Sequence, residues 1–215
     1  MEIILVRHAL PMRIELETGV ADPELSVEGH EQSKKLAAYL ASEKIHAVYT
    51  SPLRRARETA QPLIDKLGIQ YEICEGIAEF DRNSNEYVPI EELRAANDPR
   101  WQKIMQGEWD DTADSPEVFR DRVISSINEL IERHPGEKVA VVCHGGVINQ
   151  YLAYVLGIST QMGFSTRNTP RSIVLPHRAR GRDQSSALTR LHTFAKCWLV
   201  YFCGNIGLWQ SISRR

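Results

Sequence analysis

Apolar positions in this chain come in two alternating kinds of run. The first kind is short, unbroken and rich in β-branched residues: Ile3-Ile4-Leu5-Val6, Ala47-Val48-Tyr49 and Val139-Ala140-Val141-Val142-Cys143. Such runs read as strands buried on both faces, the habit of parallel sheets. They predict strands over residues 2–7, 46–50 and 138–143, with a shorter one over 71–74. The second kind is spaced at helical intervals. Ser26 suits the N-cap of a helix running to about Ser42. Pro52 suits the first turn of another that reaches about Lys66, with Gly68 beyond its end. Ser115-Pro116-Glu117 opens a third, in which Val118, Phe119, Val123, Ile127, Leu130 and Ile131 form an apolar stripe before Pro135-Gly136 ends it. Residues 145–156 form the last helix. Residues 79–114 are polar, hold Trp101 and Trp109, and read as an irregular excursion over the top of the sheet, where loops set substrate choice. Strands alternating with helices imply an α/β fold: a three-layer α/β/α sandwich around a mostly parallel central sheet.

Composition changes this picture little over most of the chain and sharply near its end. A length of 215 residues fits one domain with a sizeable core, and 42% hydrophobic with 25% charged residues is ordinary for a globular protein. A net charge of -2 points to neither a nucleic-acid binder nor a membrane-surface binder. No apolar run is long enough to span a bilayer and no signal peptide is read, so the expected compartment is the cytoplasm. Cys74, Cys143, Cys197 and Cys203 have no metal or redox spacing, and Cys143 reads as a small core hydrophobe. Residues 163–215 differ. They hold nine Lys or Arg against Asp183 alone, a balance of +8, which leaves -10 for residues 1–162. That charge could serve nucleic acid or anionic lipid, yet it forms no lysine cluster, and the apolar stretch from Cys197 to Trp209 has no amphipathic period.

The residues able to do chemistry stand at the ends of the apolar runs. Arg7-His8 follows the first and His144-Gly145 follows the third. The carboxyl ends of strands are where open α/β sheets build their sites. An arginine and two imidazoles far apart in sequence are therefore expected at one point. After the second run, residues 50–60 bring Arg54, Arg55 and Arg57 to the start of a helix. Backbone N–H groups and the helix dipole favour an anion there. No H-E-x-x-H or similar spacing occurs, so neither a metal nor a cofactor is expected. His30, His46 and His134 read as surface residues.

These strings resemble the marks of the histidine phosphatase superfamily, also called the phosphoglycerate mutase-like family. The family carries R-H-G near its N-terminus, T-S-x-L-x-R-A-x-x-T-A, an acidic residue after the third strand and a late H-G. Here they stand as Arg7-His8-Ala9, Thr50 to Ala60, Glu79 in the string GIAEFD, and His144-Gly145. The stretch Asp22 to Gly29, followed by Gln32, is similar to the family's D-x-x-L-T-x-x-G-x-x-Q-A. Five pieces in the right order span residues 1–162. The resemblance implies that His8 is a nucleophile that becomes a phosphohistidine, its other ring nitrogen held by a backbone carbonyl. It implies Arg7 and Arg55 as phosphate clamps, because a planar guanidinium matches two phosphate oxygens at once. Arg55, rather than Arg54 or Arg57, holds the R of the family's R-A pair. A protonated His144 and the Gly145 N–H would donate to the phosphoryl group. Glu79 would be the general acid and later the base, with Asp81 the next candidate. Ala9 departs from the family's usual Gly.

The activity so implied is hydrolysis of a small-molecule phosphomonoester through a phosphohistidine on His8. Two alternatives stand beside it. A phosphoglycerate mutase-type phosphoryl transfer would use the same pocket, but such mutases generally carry a longer insertion than residues 79–138 provide. A non-catalytic phospho-ligand binder would not need the intact His, Arg and acid set. No nucleic acid or membrane partner is expected, and no oligomeric state is implied. The family usually ends in a β-hairpin, and residues 163–215 do not resemble one. From Phe164 onward, codons can be chosen so that a frame beginning one nucleotide earlier spells two alternating strands like that hairpin. On that reading the basic tail is a frameshift product foreign to the fold. It would have little regular structure, take no part in the phosphate clamp, and leave an open strand edge.

Overall fold

The computed structural model describes residues 1–106, 114–157, 171–176 and 198–201, the last two segments as backbone alone. Its strands are β1 (Glu2–Arg7), β2 (Ile14–Glu15), β3 (Ala47–Thr50), β4 (Tyr71–Ile73), β5 (Glu86–Tyr87), β6 (Lys138–Cys143), β7 (Arg171–Pro176) and β8 (Trp198–Tyr201). Its helices are α1 (Val27–Leu40), α2 (Arg54–Leu67), α3 (Ile90–Ala95), α4 (Pro99–Gln106), α5 (Pro116–Arg133) and α6 (Gly145–Leu156), with a 3-10 turn over Glu75–Ile77. Six strands form one sheet in the order β4-β3-β6-β1-β7-β8. The first four are parallel; β7 runs antiparallel to β1, and β8 antiparallel to β7.

The alternation of side chains in the central strands divides the core into two layers. Ile3, Leu5, Val139 and Val141 pack with Phe119, Val123, Ile127 and Leu130 of α5 and with Val147 and Ile148 of α6. Ile4, Val6, Val48, Ala140 and Val142 pack on the other face with Leu36, Ala37 and Leu40 of α1 and with Ala56, Ala60 and Leu63 of α2. Because both faces are covered, the strands are apolar without interruption, which is why they were visible as unbroken runs. Each fully buried Leu, Ile or Val contributes about 1.5–3 kcal/mol relative to exposure, so the two layers fix the sheet on which the strand-end residues sit.

Helix ends follow local chemistry. The Ser26 hydroxyl accepts a hydrogen bond from Gly29 N at 3.0 Å, and Ser115 accepts one from Val118 N at 3.3 Å. Gly68 closes α2 with φ 67°, a left-handed conformation that glycine adopts without strain. Pro52 lies ahead of α2 rather than in its first turn: Leu53 is the N-cap, and the residues before it are still turning away from β3. Val118 leaves the expected apolar stripe, being 57% exposed on the outer face of α5, while Phe119, Val123, Ile127, Leu130 and Ile131 are buried.

Two expectations are corrected. Residues 79–106 are not irregular. They contain β5, which pairs with β2 in a two-stranded ribbon, and the helices α3 and α4. The α4 start combines Asp98, whose carboxylate accepts from Arg100 N at 2.9 Å, with Pro99 as the first helical residue. Trp101 lies in α4, and Trp109 lies outside the described residues. The second correction concerns the end of the chain. The edge of β1 is paired, not open: Ile3 sits opposite Leu175 and Leu5 opposite Ile173. Ser172-Ile173-Val174-Leu175 is itself a β-prone run, and β8 extends the sheet beyond it. The rest of the basic tail, Arg178, Arg180 and Arg182 included, lies outside the described residues. Among the described residues no helix is long and apolar enough to cross a membrane.

Candidate active site

Register brings the strand ends level. Arg7 is opposite Cys143, while Val6 and Thr50 are both opposite Val142. The chain then leaves all three strands at one edge. His8 N donates to Cys143 O at 2.9 Å, and Ser51 N donates to Val142 O at 2.9 Å. The His8 and His144 rings therefore lie beside each other, with centroids 5.1 Å apart. Arg55, on the first turn of α2, is 1% exposed.

The segment after His8 is braced on every side. His8 Nδ1 lies 2.8 Å from Ala9 O, which leaves Nε2 as the ring nitrogen free to react. Ala9 N donates to Thr59 Oγ1 at 2.9 Å, and Thr59 Oγ1 donates to Arg55 O at 2.6 Å. Ala9 is itself buried, so its methyl is accommodated in this bracing. Leu10 is held from α1: its N donates to Gln32 Oε1 at 3.0 Å, and its O accepts from Ser26 N at 3.0 Å. A Cβ on Gly29 would come within 2.1 Å of Leu10 O, so α1 can approach this closely only with glycine there. The Gly29 and Gln32 pattern thus serves to hold the loop carrying His8.

The electrostatics are those of an anion site. Arg55 Nη2 makes a long contact of 3.4 Å to Asp81 Oδ1, its guanidinium stands 4.5 Å from the centre of the Tyr87 ring, and its buried Nε has no protein partner among the described residues. Burial first, then the charges of Arg55 and Arg7, hold the His8 imidazole well below its usual range. Burial first, then the charges of Arg55, His8, Arg7 and Arg122, depress His144 too. Burial among cations thus works against the imidazolium expected at His144. Ser51 Oγ lies 2.7 Å from His144 Nε2, while the buried Nδ1 has no partner among the described residues.

Glu79 is 7% exposed and accepts hydrogen bonds from Gly146 N at 2.9 Å and from Phe80 N at 3.2 Å. Burial, and after it the Asp81 charge, pushes its carboxyl up to about 7. Asp81 is also raised by burial, against the pull of Arg55. Gly145 begins α6, and a Cβ there would meet Arg7 Nε at an ordinary 3.7 Å. The stricter requirement falls on Gly146, where a Cβ would stand 2.3 Å from Glu79 Oε1.

The structure thus brings His8, His144, Arg55, Glu79, Arg7 and Gly145 to one edge of the sheet. Arg54 instead pairs with Glu24 and Glu58 on the surface. His30 and His46 are exposed, but His134 is half-buried, between Tyr49 OH at 2.8 Å and Glu137 at 2.6 Å. Sequence reasoning missed Ser51, Gly146 and Tyr87. The second glycine of His144-Gly145-Gly146 was the one available signal; the tyrosine sits on a two-residue strand with no pattern to read. Among the described residues, no group of three or more His, Cys, Asp or Glu side chains is arranged to hold a metal ion.

A family model for the histidine phosphatase superfamily (branch 1) matches residues 3–189. The chain belongs to this superfamily. The histidine phosphatase match runs past residue 162, into the segment that contains β7. Phosphoserine phosphatase 1 of Hydrogenobacter thermophilus is 27% identical over 186 residues, which cover 80% of this chain and 85% of that one. Phosphoglycerate mutase-like protein 4 of Arabidopsis thaliana is 30% identical over 159 residues, covering 68% of this chain and 67% of its own. The solved structure of a phosphoserine phosphatase from Entamoeba histolytica superposes with a TM-score of 0.64 at 22% identity, covering 82% of this chain and 91% of that one. At that identity the likeness concerns the histidine phosphatase fold.

Proposed function

We propose that the protein hydrolyses small phosphomonoesters through a phosphohistidine on His8. The observation that carries this reading is the pairing of an anchored His8, whose imidazole burial holds well below its usual range, with a buried Arg55 that among the described residues has a long contact to Asp81 and no partner at Nε. A buried guanidinium without a full set of partners is costly to keep in a fold, and a phosphoryl group supplies what it lacks. Arg7 and Arg55 hold the equatorial oxygens, and His144 with the Gly145 N–H completes the cradle.

In the first step His8 Nε2 attacks phosphorus. A P–N bond forms as the P–O bond to the leaving group breaks, and Glu79 gives its proton to the departing alkoxide. A carboxyl raised to about 7 keeps its proton in about half of the molecules at neutral pH, where an ordinary glutamate keeps almost none, and that role requires it. In the second step the Glu79 carboxylate takes a proton from water as the water oxygen attacks phosphorus. The P–N bond breaks, phosphate leaves, and both residues return to their starting forms.

Relatives named phosphoserine phosphatase make phosphoserine a natural first alkyl substrate. The test is steady-state phosphate release in the presence of a metal chelator from phosphoserine and p-nitrophenyl phosphate, with acid-labile, base-stable phosphate trapped on the protein. Turnover with such trapping on wild type and none on His8→Ala supports the reading. Interconversion of phosphoglycerates without net phosphate release would replace it with a mutase. Stoichiometric binding without either reaction would leave only a phospho-ligand binder.

A further inference from the structure

We propose that Arg122, on α5, is a positioning residue that sets the geometry of Glu79 for the acid–base step. The inference rests on the reading of Glu79 as the acid. Arg122 Nη1 donates to Gly76 O at 2.9 Å and Ala78 O at 3.0 Å, with Glu75 O at 3.4 Å. These carbonyls belong to the 3-10 turn and to the residue after it. A short 3-10 turn leaves its last carbonyls without helical partners. The Ala78 carbonyl is half of the peptide unit that leads into Glu79. Arg122 therefore holds the backbone on one side of Glu79, while Gly146 N holds its carboxyl on the other.

Three further contacts make this a frame rather than a single tether. Arg122 Nη2 donates to Asp114 Oδ2 at 2.6 Å, and the other oxygen of Asp114 takes Arg82 at 3.3 Å. Arg82 N in turn donates to Glu79 O at 3.3 Å. A Cβ on Gly76 would overlap Ser126 Oγ at 1.6 Å, so the turn is pressed directly against α5 one helical turn beyond Arg122. The acid is thus referenced to α5, and through α5 to the apolar layer that holds the sheet. An error of about 1 Å in a catalytic group costs up to about 10²-fold in rate, so a residue that acts only through the backbone of Glu79 can control the step.

The test is a double-mutant cycle read on kcat/KM, which covers steps through phosphohistidine formation. Arg122→Gln should lower kcat/KM for phosphoserine about 10–100-fold and lower that for p-nitrophenyl phosphate much less, because a good leaving group needs little proton donation. Arg122→Lys should recover part of the alkyl activity. Adding Arg122→Gln to Glu79→Gln should cost little more than Glu79→Gln alone. Thermal unfolding of each variant reports the fold, and Asp114→Asn loosens the same frame should Arg122→Gln not fold. Equal losses for both substrates, full additivity with Glu79→Gln, or an unchanged alkyl-to-aryl ratio in folded Arg122→Gln and Asp114→Asn would overturn the role of Arg122 while leaving the phosphatase reading intact. A wild type inactive on both substrates would overturn both.

Discussion

The two ends of β1, β3 and β6 handle charge in opposite ways. At their amino ends Lys138 pairs with Glu2 and Glu43, its backbone N donates to the exposed His46, and the group is partly open to water. At their carboxyl ends Arg55, His8, His144 and Glu79 are all buried, and among the described residues the Arg55 guanidinium makes a long contact to Asp81 and faces the Tyr87 ring. The same strands and the same core support both edges. The amino edge is what folding produces when charges need only be neutralised. The carboxyl edge keeps buried charge whose partners among the described residues are incomplete, Arg55 Nε and His144 Nδ1 having none, and folding alone gives no reason to retain it. On the proposed reading the carboxyl edge is the one that works on a ligand, and substitutions at the two edges should move activity and stability in opposite senses.

The largest effect is expected at His8. His8→Ala removes the attacking nitrogen while leaving a small side chain in a braced loop. Turnover should fall to background with both alkyl and aryl phosphates, and no phosphate should be trapped on the protein. Retained labelling of the variant, on any residue, would break the assignment of the carboxyl edge as a covalent site.

Glu79→Gln comes next and bears on both halves of the comparison. For an alkyl phosphate, loss of the acid should lower kcat/KM about 10²–10⁴-fold, with a smaller loss for an aryl phosphate. In the wild type, alkyl kcat/KM should decline above about pH 7 as the carboxyl loses its proton. Stability should move the other way. An unfolded glutamate titrates at about 4.3, whereas in the folded protein burial and Asp81 raise it to about 7. Between those values the unfolded chain binds fewer protons, so wild-type stability falls as pH rises through the window. The glutamine cannot ionise and can keep an oxygen for Gly146 N. The variant's unfolding temperature should equal the wild type's near pH 4, exceed it increasingly up to pH 7, and stay above it thereafter. A gap that shrinks with rising pH would contradict the buried-acid account.

How much of this could be read from the chain depends on the range over which each feature is determined. β1, β3 and β6 were legible because a strand buried on both faces is apolar at every position, a local property. The starts of α1 and α5 were legible because Ser26 and Ser115 act on N–H groups three residues away. The Asp98-Pro99 start of α4 carried the same kind of signal but lay in a polar stretch that invited a loop reading. β2 and β5 have two residues each, too few for any period to show. Convergence of His8, Arg55 and His144 followed from their places at strand ends, and Glu79 came only from resemblance to a family. The depressed imidazole of His144 follows from burial and from arginines distant in sequence. Arg122 was invisible in principle, since its carbonyl partners lie 44 to 47 residues earlier and carbonyls have no sequence identity. The paired edge of β1 ran against the reading of the tail as a frameshift product foreign to the fold, although Ser172 to Leu175 is itself a β-prone run.

Arg55→Met sharpens the contrast by separating charge from packing. Methionine keeps much of the aliphatic stem that lies in the pocket wall. Losing the guanidinium should lower kcat/KM about 10²–10³-fold, as for removal of one strong donor to a developing anion. Arg55→Lys should restore little of it, because an ammonium lacks the two-pronged geometry. Unfolding temperature should rise or hold steady, since the charge removed was buried with few partners. A clear loss of stability would mean that the Arg55–Asp81 contact is worth more than its 3.4 Å length implies.

The smallest effect is expected at the opposite edge. Lys138→Met removes an ammonium that serves Glu2 and Glu43, with a side chain one-fifth exposed. Pairs this open to water are each worth about 0–1 kcal/mol, and methionine still covers the neighbouring apolar surface. Activity should be unchanged for alkyl and aryl phosphates alike, because the substitution lies at the far end of β6 from His144. Stability should fall by about 1 kcal/mol or less, and the difference should shrink in high salt, which screens the wild-type attraction. The sign matters more than the size. Removing a cation should destabilise the amino edge and should not destabilise the carboxyl edge, and thermal unfolding of Lys138→Met and Arg55→Met side by side measures both. Were the two variants to shift stability in the same direction by similar amounts, buried charge at the pocket would have to be counted as part of the scaffold, and the thinly paired Arg55 would lose its force as the mark of an anion site.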